Sequence, residues 1–196
     1  IGTNAYREAA AGWLARRVGV QVDVDTQLAA CIGTKEFVVS TPRYLRLRTP
    51  DRDTVLYPAI SYPSYAMGAA LAGCRAVPVP VDAEWRMDLS AVDPADADRA
   101  VCLWVNAPGN PAGGLDDLAA AAQWGRARAV PVLSDECYLE FTWAGTARPG
   151  LAHPCTSILE HGVDGVIAVH SLSKRSNMAG VRAGFYAGDA ELGHWL

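Results

Sequence analysis

Short apolar runs alternate with longer stretches of helical periodicity along almost the whole chain, and this alternation restricts the fold more than any other feature. A helix is expected over residues 6–17, with Thr3 or Asn4 as its N-cap. Residues 28–32 read as a buried strand ending at Gly33-Thr34, where a helix should begin and run to about Leu47. Pro42 predicts an irregularity early in that helix. A strand over 54–57 precedes a helix over 65–72, for which Gly73 is a good C′ residue. Further strands are expected over 75–81, 100–105, 130–133, 165–169 and 183–187, and an Ala-rich helix over 114–129. Seven strands interleaved with helices imply an α/β fold: a mostly parallel seven-stranded sheet with helices on both faces. In such sheets ligands collect at the carboxyl ends of the strands.

Composition narrows the function classes. Of 196 residues, 51% are apolar, enough for a sizeable core, and the 19% that are charged argue against disorder. The net charge of −4 contains no block of one sign, so no nucleic-acid surface is expected. No apolar run approaches the roughly 20 residues of a membrane span. Ile1-Gly2-Thr3-Asn4 lacks a basic n-region, so no signal peptide is expected. Cys31, Cys74, Cys102, Cys137 and Cys155 are odd in number and widely spaced, indicating neither a disulfide framework nor a zinc site. His153, His161, His170 and His194 form no helical ligand pair, so no metal is expected. A reducing cytoplasm fits this cysteine usage. Chemistry that needs an amine has two candidates only, Lys35 and Lys174, because the other basic residues are all Arg.

Four strand ends carry polar sequence. Gly33-Thr34-Lys35-Glu36 opens a helix whose free N–H groups could bind an anion, although alone it reads as an ordinary helix start. No Walker A pattern and no G-x-G-x-x-G accompanies it, so a nucleotide has no motif. Asn106-Ala107-Pro108-Gly109-Asn110-Pro111-Ala112-Gly113 is a run of turn formers after a strand that reads as buried. In Ser134-Asp135-Glu136-Cys137-Tyr138 a carboxylate follows a buried strand, so it either caps a helix or meets a cation. Ser171-Leu172-Ser173-Lys174 is followed by Asn177, Gly180, Arg182 and Gly184. Hydroxyls, an amine and a guanidinium together suit a phosphorylated carbonyl compound.

The pattern Ser171-x-Ser173-Lys174-x-x-Asn177-x-x-Gly180-x-Arg182-x-Gly184 resembles the cofactor-lysine signature of class I/II aminotransferases, the fold-type I enzymes of pyridoxal 5′-phosphate (PLP). The Asn-Pro-Gly loop, Asp135-x-x-Tyr138 and Tyr62-Pro63-x-Tyr65 resemble three further motifs of that family, in its order and at its approximate spacings. Together they extend over nearly the whole chain.

The resemblance implies a role for each position. Lys174 would attach PLP covalently and, once freed by substrate, move the proton at the α-carbon. Asp135 would pair with the ring nitrogen, while the adjacent Glu136 is expected to pack or to face solvent near the strand end. Asn110 and Tyr138 would bond the ring's phenolic oxygen, and Tyr62 would stack on the ring face. The phosphate would fall to Thr34 and Lys35 after Gly33, with Ser171, Ser173 and Arg182. Lys35, the other amine, lies at a helix N-terminus, where phosphate contact or exposure is expected rather than covalent attachment.

The family's usual Thr in the Asn-Pro-Thr-Gly turn is Ala112 here. The family's chains are roughly twice as long, so residues 1–196 are expected to form the large PLP-binding domain, with the N-terminal segment and small C-terminal domain outside them. The arginine that grips the substrate's α-carboxylate would come from that small domain. The resemblance also implies a homodimer. Residues 33–38 and 134–141 look most like actinobacterial N-succinyldiaminopimelate aminotransferases, implying glutamate and a keto acid of lysine biosynthesis as substrates. Another PLP enzyme of the same fold, whether an aspartate or aromatic aminotransferase, a decarboxylase or a C–S lyase, and an inactive truncated remnant are the alternatives.

Overall fold

A computed structural model describes residues 1–142 and 156–196; His153 and Cys155 lie outside them. The helices among the described residues are α1 (Asn4–Arg17), α2 (Thr34–Arg48), α3 (Ser64–Leu71), α4 (Pro94–Asp98), α5 (Leu118–Arg128), α6 (Leu172–Arg175) and α7 (Ala190–Trp195). The strands are β1 (Leu28–Cys31), β2 (Thr54–Pro58), β3 (Arg75–Val79), β4 (Ala100–Asn106), β5 (Val132–Asp135), β6 (Val166–Ser171) and β7 (Gly184–Gly188). They form one seven-stranded sheet in the order β1-β7-β6-β5-β4-β2-β3. β3, β2, β4, β5 and β6 pair in parallel, and β7 runs antiparallel between β6 and β1. The expected α/β architecture is therefore present, and no helix among the described residues is long and apolar enough to cross a membrane.

Side-chain alternation distributes the core to the two faces. Leu103, Val105, Val132, Val166, Ala168 and Phe185 point to one face, where they meet Leu14 of α1 and Ala121 and Trp124 of α5. Trp104, Leu133, Ile167, Val169 and Tyr186 point to the other, against Phe37, Val38 and Leu45 of α2 and Tyr65 and Ala69 of α3. β4, β5 and β6 are buried along their whole length, as parallel strands covered on both sides must be.

Element boundaries moved where a cap or a neighbouring strand decided them. α5 starts at Leu118 because the Asp117 side chain accepts the N–H of Ala120; residues 114–117, expected to be helical, belong to the preceding loop. β5 leaves out Val130 and Pro131 and runs on to Asp135, since Ser134 and Asp135 pair with Ala168 and Val169 of β6. The carboxylate of Asp135 thus belongs to the strand itself. The small helices α4, α6 and α7 lie outside the expected elements; each begins at a side-chain cap, Asp93, Ser171 and Asp189.

The irregularity expected at Pro42 is absent: α2 continues through it to Arg48. Pro42 has no N–H to give to the carbonyl of Val38, four residues back. That carbonyl faces α3 at Gly68, where a Cβ would lie 2.9 Å from Val38 O and 3.1 Å from Val39 Cα. Close packing of α3 at Gly68 thus lies over the turn that lacks this bond. It also sets α2 and α3, whose N-terminal ends both border the cavity described below. Gly68→Ala should therefore lower stability by about 1–3 kcal/mol through overpacking, although alanine is the better helix former. Urea unfolding of the two chains checks this, and a more stable Ala variant would show that the helices can separate freely.

Candidate active site at the carboxyl edge of the sheet

The carboxyl ends of β1, β2, β4, β5 and β6 open on one edge of the sheet, and the segment before β7 returns to it. A cavity of about 280 Å³ lies there. Nine of the expected site residues line it: Thr34, Lys35, Tyr62, Asn110, Asp135, Tyr138, Ser173, Lys174 and Arg182. Segments far apart in sequence therefore meet in one place.

Asp135 is the most constrained of these groups. Its side chain is buried; Oδ2 accepts the hydroxyl of Tyr65 at 3.1 Å and Oδ1 the N–H of Cys137 at 3.2 Å. Burial raises the carboxyl above its ordinary range, against the pull of the Cys137 backbone and thiol and the Tyr65 hydroxyl. The same burial, with the neighbouring Asp135, pushes Tyr65 and Cys137 up as well. A desolvated carboxylate supplied only with neutral donors gains from a cationic N–H placed in the cavity.

Asn106, the last residue of β4, organises the adjacent loop. Its Nδ2 donates to the carbonyl of Asp135 at 2.8 Å, and its Oδ1 accepts the N–H of Asn110, also at 2.8 Å. Behind it Asp116 accepts the N–H of Met87 at 2.7 Å and that of Asn106 at 3.4 Å. The buried side chain of Asn106 thereby places both Asp135 and Asn110.

At the opposite side of the cavity α2 begins at Thr34 without a side-chain cap, leaving its first amides free toward solvent or a ligand. Gly33, its N-cap, has φ 104, a region that favours glycine, and a Cβ there would collide with the guanidinium of Arg182. Arg182 is held over this turn by donating to the carbonyls of Ile32 (3.3 Å) and Ala179 (2.9 Å). Positive charge and free N–H groups therefore converge at this end. Lys35 Nζ stands 5.8 Å from the ring of Tyr62, and Lys174 Nζ 5.8 Å from that of Tyr138. These two lysines are the only ones in the chain, and both border the cavity.

Two expected residues stand outside the lining. Ser171 is buried and its Oγ accepts the N–H of Ser173, capping the short helix that carries Lys174. Gly33 closes the turn beneath Arg182 without facing the cavity itself. Glu136, for which packing or solvent was expected, is 2% exposed and turned to the other face of the sheet. Sequence reasoning assigned no site role to Ser64, Tyr65, Asn106 or Cys137, which also line the cavity. Tyr65 and Asn106 carried a usable signal, the first lying in the Tyr62-Pro63-x-Tyr65 motif and the second opening the Asn-rich turn.

Comparison with known proteins agrees with this geometry. The family model for aminotransferase class I and II matches residues 1–196. A 4-dedimethylamino-4-oxo-anhydrotetracycline transaminase of Streptomyces rimosus is 40% identical over 97% of the chain and 50% of its own length. A probable aminotransferase of Mycobacterium tuberculosis is also 40% identical, over 97% of the chain and 43% of its own. Among solved structures, a probable N-succinyldiaminopimelate aminotransferase of Thermus thermophilus superposes with a TM-score of 0.83 at 31% identity, covering 97% of this chain and 50% of that one. The chain thus spans about half the length of the curated relatives it matches. With the family model matching from end to end and its motifs gathered on one cavity, the chain belongs to the class I and II aminotransferase family.

Proposed function

We propose that the cavity binds pyridoxal 5′-phosphate and forms the cofactor site of a transaminase that moves an amino group between L-glutamate and a keto acid. The observation that carries this reading is the company of Asp135. A buried carboxylate shares one cavity with both lysines of the chain, with Arg182 and with the open start of α2. This donor set fits the cofactor: a carboxylate for a protonated ring nitrogen, an amine for an aldehyde, and a guanidinium with free amides for a phosphate. The hydroxyl of Ser64, buried at the cavity wall without a hydrogen-bond partner among the described residues, leaves one polar group for a ligand to satisfy.

Bound there, PLP would supply the aldehyde carbon and the electron sink that amino transfer requires. Lys174 is read as the amine that attaches the cofactor and afterwards moves the proton at the substrate's α-carbon. Asp135 holds positive charge on the ring nitrogen, with Tyr65 and the Cys137 N–H keeping its oxygens oriented. Arg182, Thr34, Ser173 and the first amides of α2 bind the phosphate, with Lys35 at the rim. Tyr62 would cover a ring face, and Asn110 and Tyr138 would bond the phenolic oxygen. Ser171 acts by capping the helix that presents Lys174.

The proposed keto acid is N-succinyl-2-amino-6-oxopimelate, of diaminopimelate and lysine biosynthesis; likeness to the Thermus thermophilus protein supports that choice. On this reading residues 1–196 are the large domain of a longer cytoplasmic homodimer, whose remaining parts include the arginine that grips the α-carboxylate.

Borohydride reduction in the presence of PLP, followed by peptide mapping, should label Lys174 and leave Lys35 unlabelled. Label on Lys35, or none on a folded sample, would refute the assignment. Asp135→Ala should weaken PLP binding by about 3–5 kcal/mol, the loss typical of stripping a buried charge of its partner. Tyr62→Ala, which removes one stacking face, should weaken it by about 0.5–1.5 kcal/mol. Absorbance titrations of the variants measure both, and equal losses would mean that the ring lies elsewhere.

A further inference from the structure

Glu136 and His170 are buried against each other on the face of the sheet turned away from the cavity, with Oε2 and Nε2 3.5 Å apart. Each neighbours a residue on the cavity side. Asp135 precedes Glu136, and Ser171 follows His170 on the way to Lys174. The His170 ring is enclosed by Trp13 of α1 and Phe185 of β7, with ring centres at 5.2 Å and 4.8 Å. Glu136 Oε1 accepts the N–H of Ile158 at 2.8 Å. Glu136 Oε2 and both ring nitrogens of His170 have no hydrogen-bond partner among the described residues, and across the 3.5 Å gap Oε2 and Nε2 face each other. The hydroxyls of Ser134 and Ser157 also stand against the Glu136 carboxyl and oppose the effect of burial on it. Two apolar side chains would suit such a desolvated position at least as well, so a polar pair there points to a role in specifying geometry.

We propose that Glu136 and His170 are positioning residues: a hydrogen bond from the Glu136 carboxyl to His170 Nε2 locks the ends of β5 and β6 behind the sheet and sets where Asp135 and Lys174 stand in front of it. The consequence for the cofactor rests on the reading of Asp135 and Lys174 given above. Burial pushes the Glu136 carboxyl up to about 7 and the His170 imidazole down to about 3. The surrounding charges act the same way, Glu160 raising Glu136 and Arg175, whose guanidinium lies 4.0 Å from the centre of the Trp13 ring, lowering His170. The signs then follow from linkage. Glu136 is raised above its unfolded value, so its contribution to stability is full at low pH and is lost as pH rises through about 7. His170 is depressed, so its contribution is full above its unfolded value near 6.5 and is lost as pH falls from there through about 3. Between those limits both groups are neutral and the carboxyl O–H can donate.

Hydrogen exchange of the cofactor-free chain tests the lock directly. The amide of Glu136 donates to Val169 O at 3.0 Å and that of Leu172 to Ala183 O at 3.1 Å, one at each strand end. Glu136→Leu and His170→Phe should speed exchange at these two amides roughly tenfold while β2 and β3 stay protected. His170→Phe keeps the aromatic volume between Trp13 and Phe185, so it reports even if Glu136→Leu unfolds. Glu136→Gln, which retains a donor for Nε2, should restore the protection; with the opposing Glu136 contribution gone, its stability should rise with pH up to about 6.5, where that of the parent is nearly level. With PLP present, the Leu and Phe variants should shift the pH at which the absorbance of PLP on Lys174 changes. Unchanged exchange at the strand ends, an equal rise over the whole sheet, or a Gln variant as loose as the Leu variant overturns the proposal. A chain that shows the exchange pattern yet takes up no PLP would retain the lock and discard the cofactor reading.

Discussion

Burial of β4, β5 and β6 on both faces is the constraint from which the rest of the molecule follows. Helices α1 and α5 cover one side and α2 and α3 the other, so polar groups leave these strands at their ends, and the site residues gather at the carboxyl end. Asn106, Asp135 and Ser171 stand there, each buried and each tied to a neighbour by a hydrogen bond. An unsatisfied amide or carboxylate at such a depth would destabilise the sheet by an amount comparable to a large share of its net stability. The polar network at the edge is consequently part of the fold as well as of the candidate site.

The same alternation gives the sheet a front and a back at its functional edge. Asp135 and the segment leading to Lys174 face the cavity, whereas His170 of β6 faces Trp13 of α1 and Glu136, just past β5, meets the backbone of Ile158. Adjusting one side without disturbing the other is difficult, because adjacent residues share a backbone whose N–H and C=O groups pair across β5 and β6. Site geometry is therefore governed from two directions. From the front, Tyr65, Cys137 and Asn106 hold Asp135; from the back, the proposed Glu136–His170 lock would hold the strand ends that bear it.

Much of this organisation is legible in the chain itself. The strand cores around Leu56, Leu103, Leu133, Ile167 and Phe185 announced themselves as short apolar runs, and the residues after them announced the edge where chemistry would gather. Boundaries were harder. Nothing local distinguishes Gly114 from Leu118 as a helix start until Asp117 is seen capping Ala120. Pro42 is an ordinary breaker by its own chemistry, yet α2 runs through it, with the Val38 carbonyl that lacks its partner packed against Gly68 of α3.

The sequence by itself determined the class of fold and the edge where polar strand ends gather, because both depend on period and spacing, which are properties of the chain taken one segment at a time. Resemblance to the family's motifs supplied most of the side chains that line the cavity. Tertiary structure alone decided that Ser171 would cap a helix rather than face the cavity, that Tyr65 and Asn106 would serve Asp135, and that Glu136 would meet His170 behind the sheet. Each of those outcomes requires the approach of groups that lie dozens of residues apart, or the choice of one face of a strand over the other. Hydrogen bonds of a few ångströms are set by how whole elements pack, and no local propensity encodes that packing.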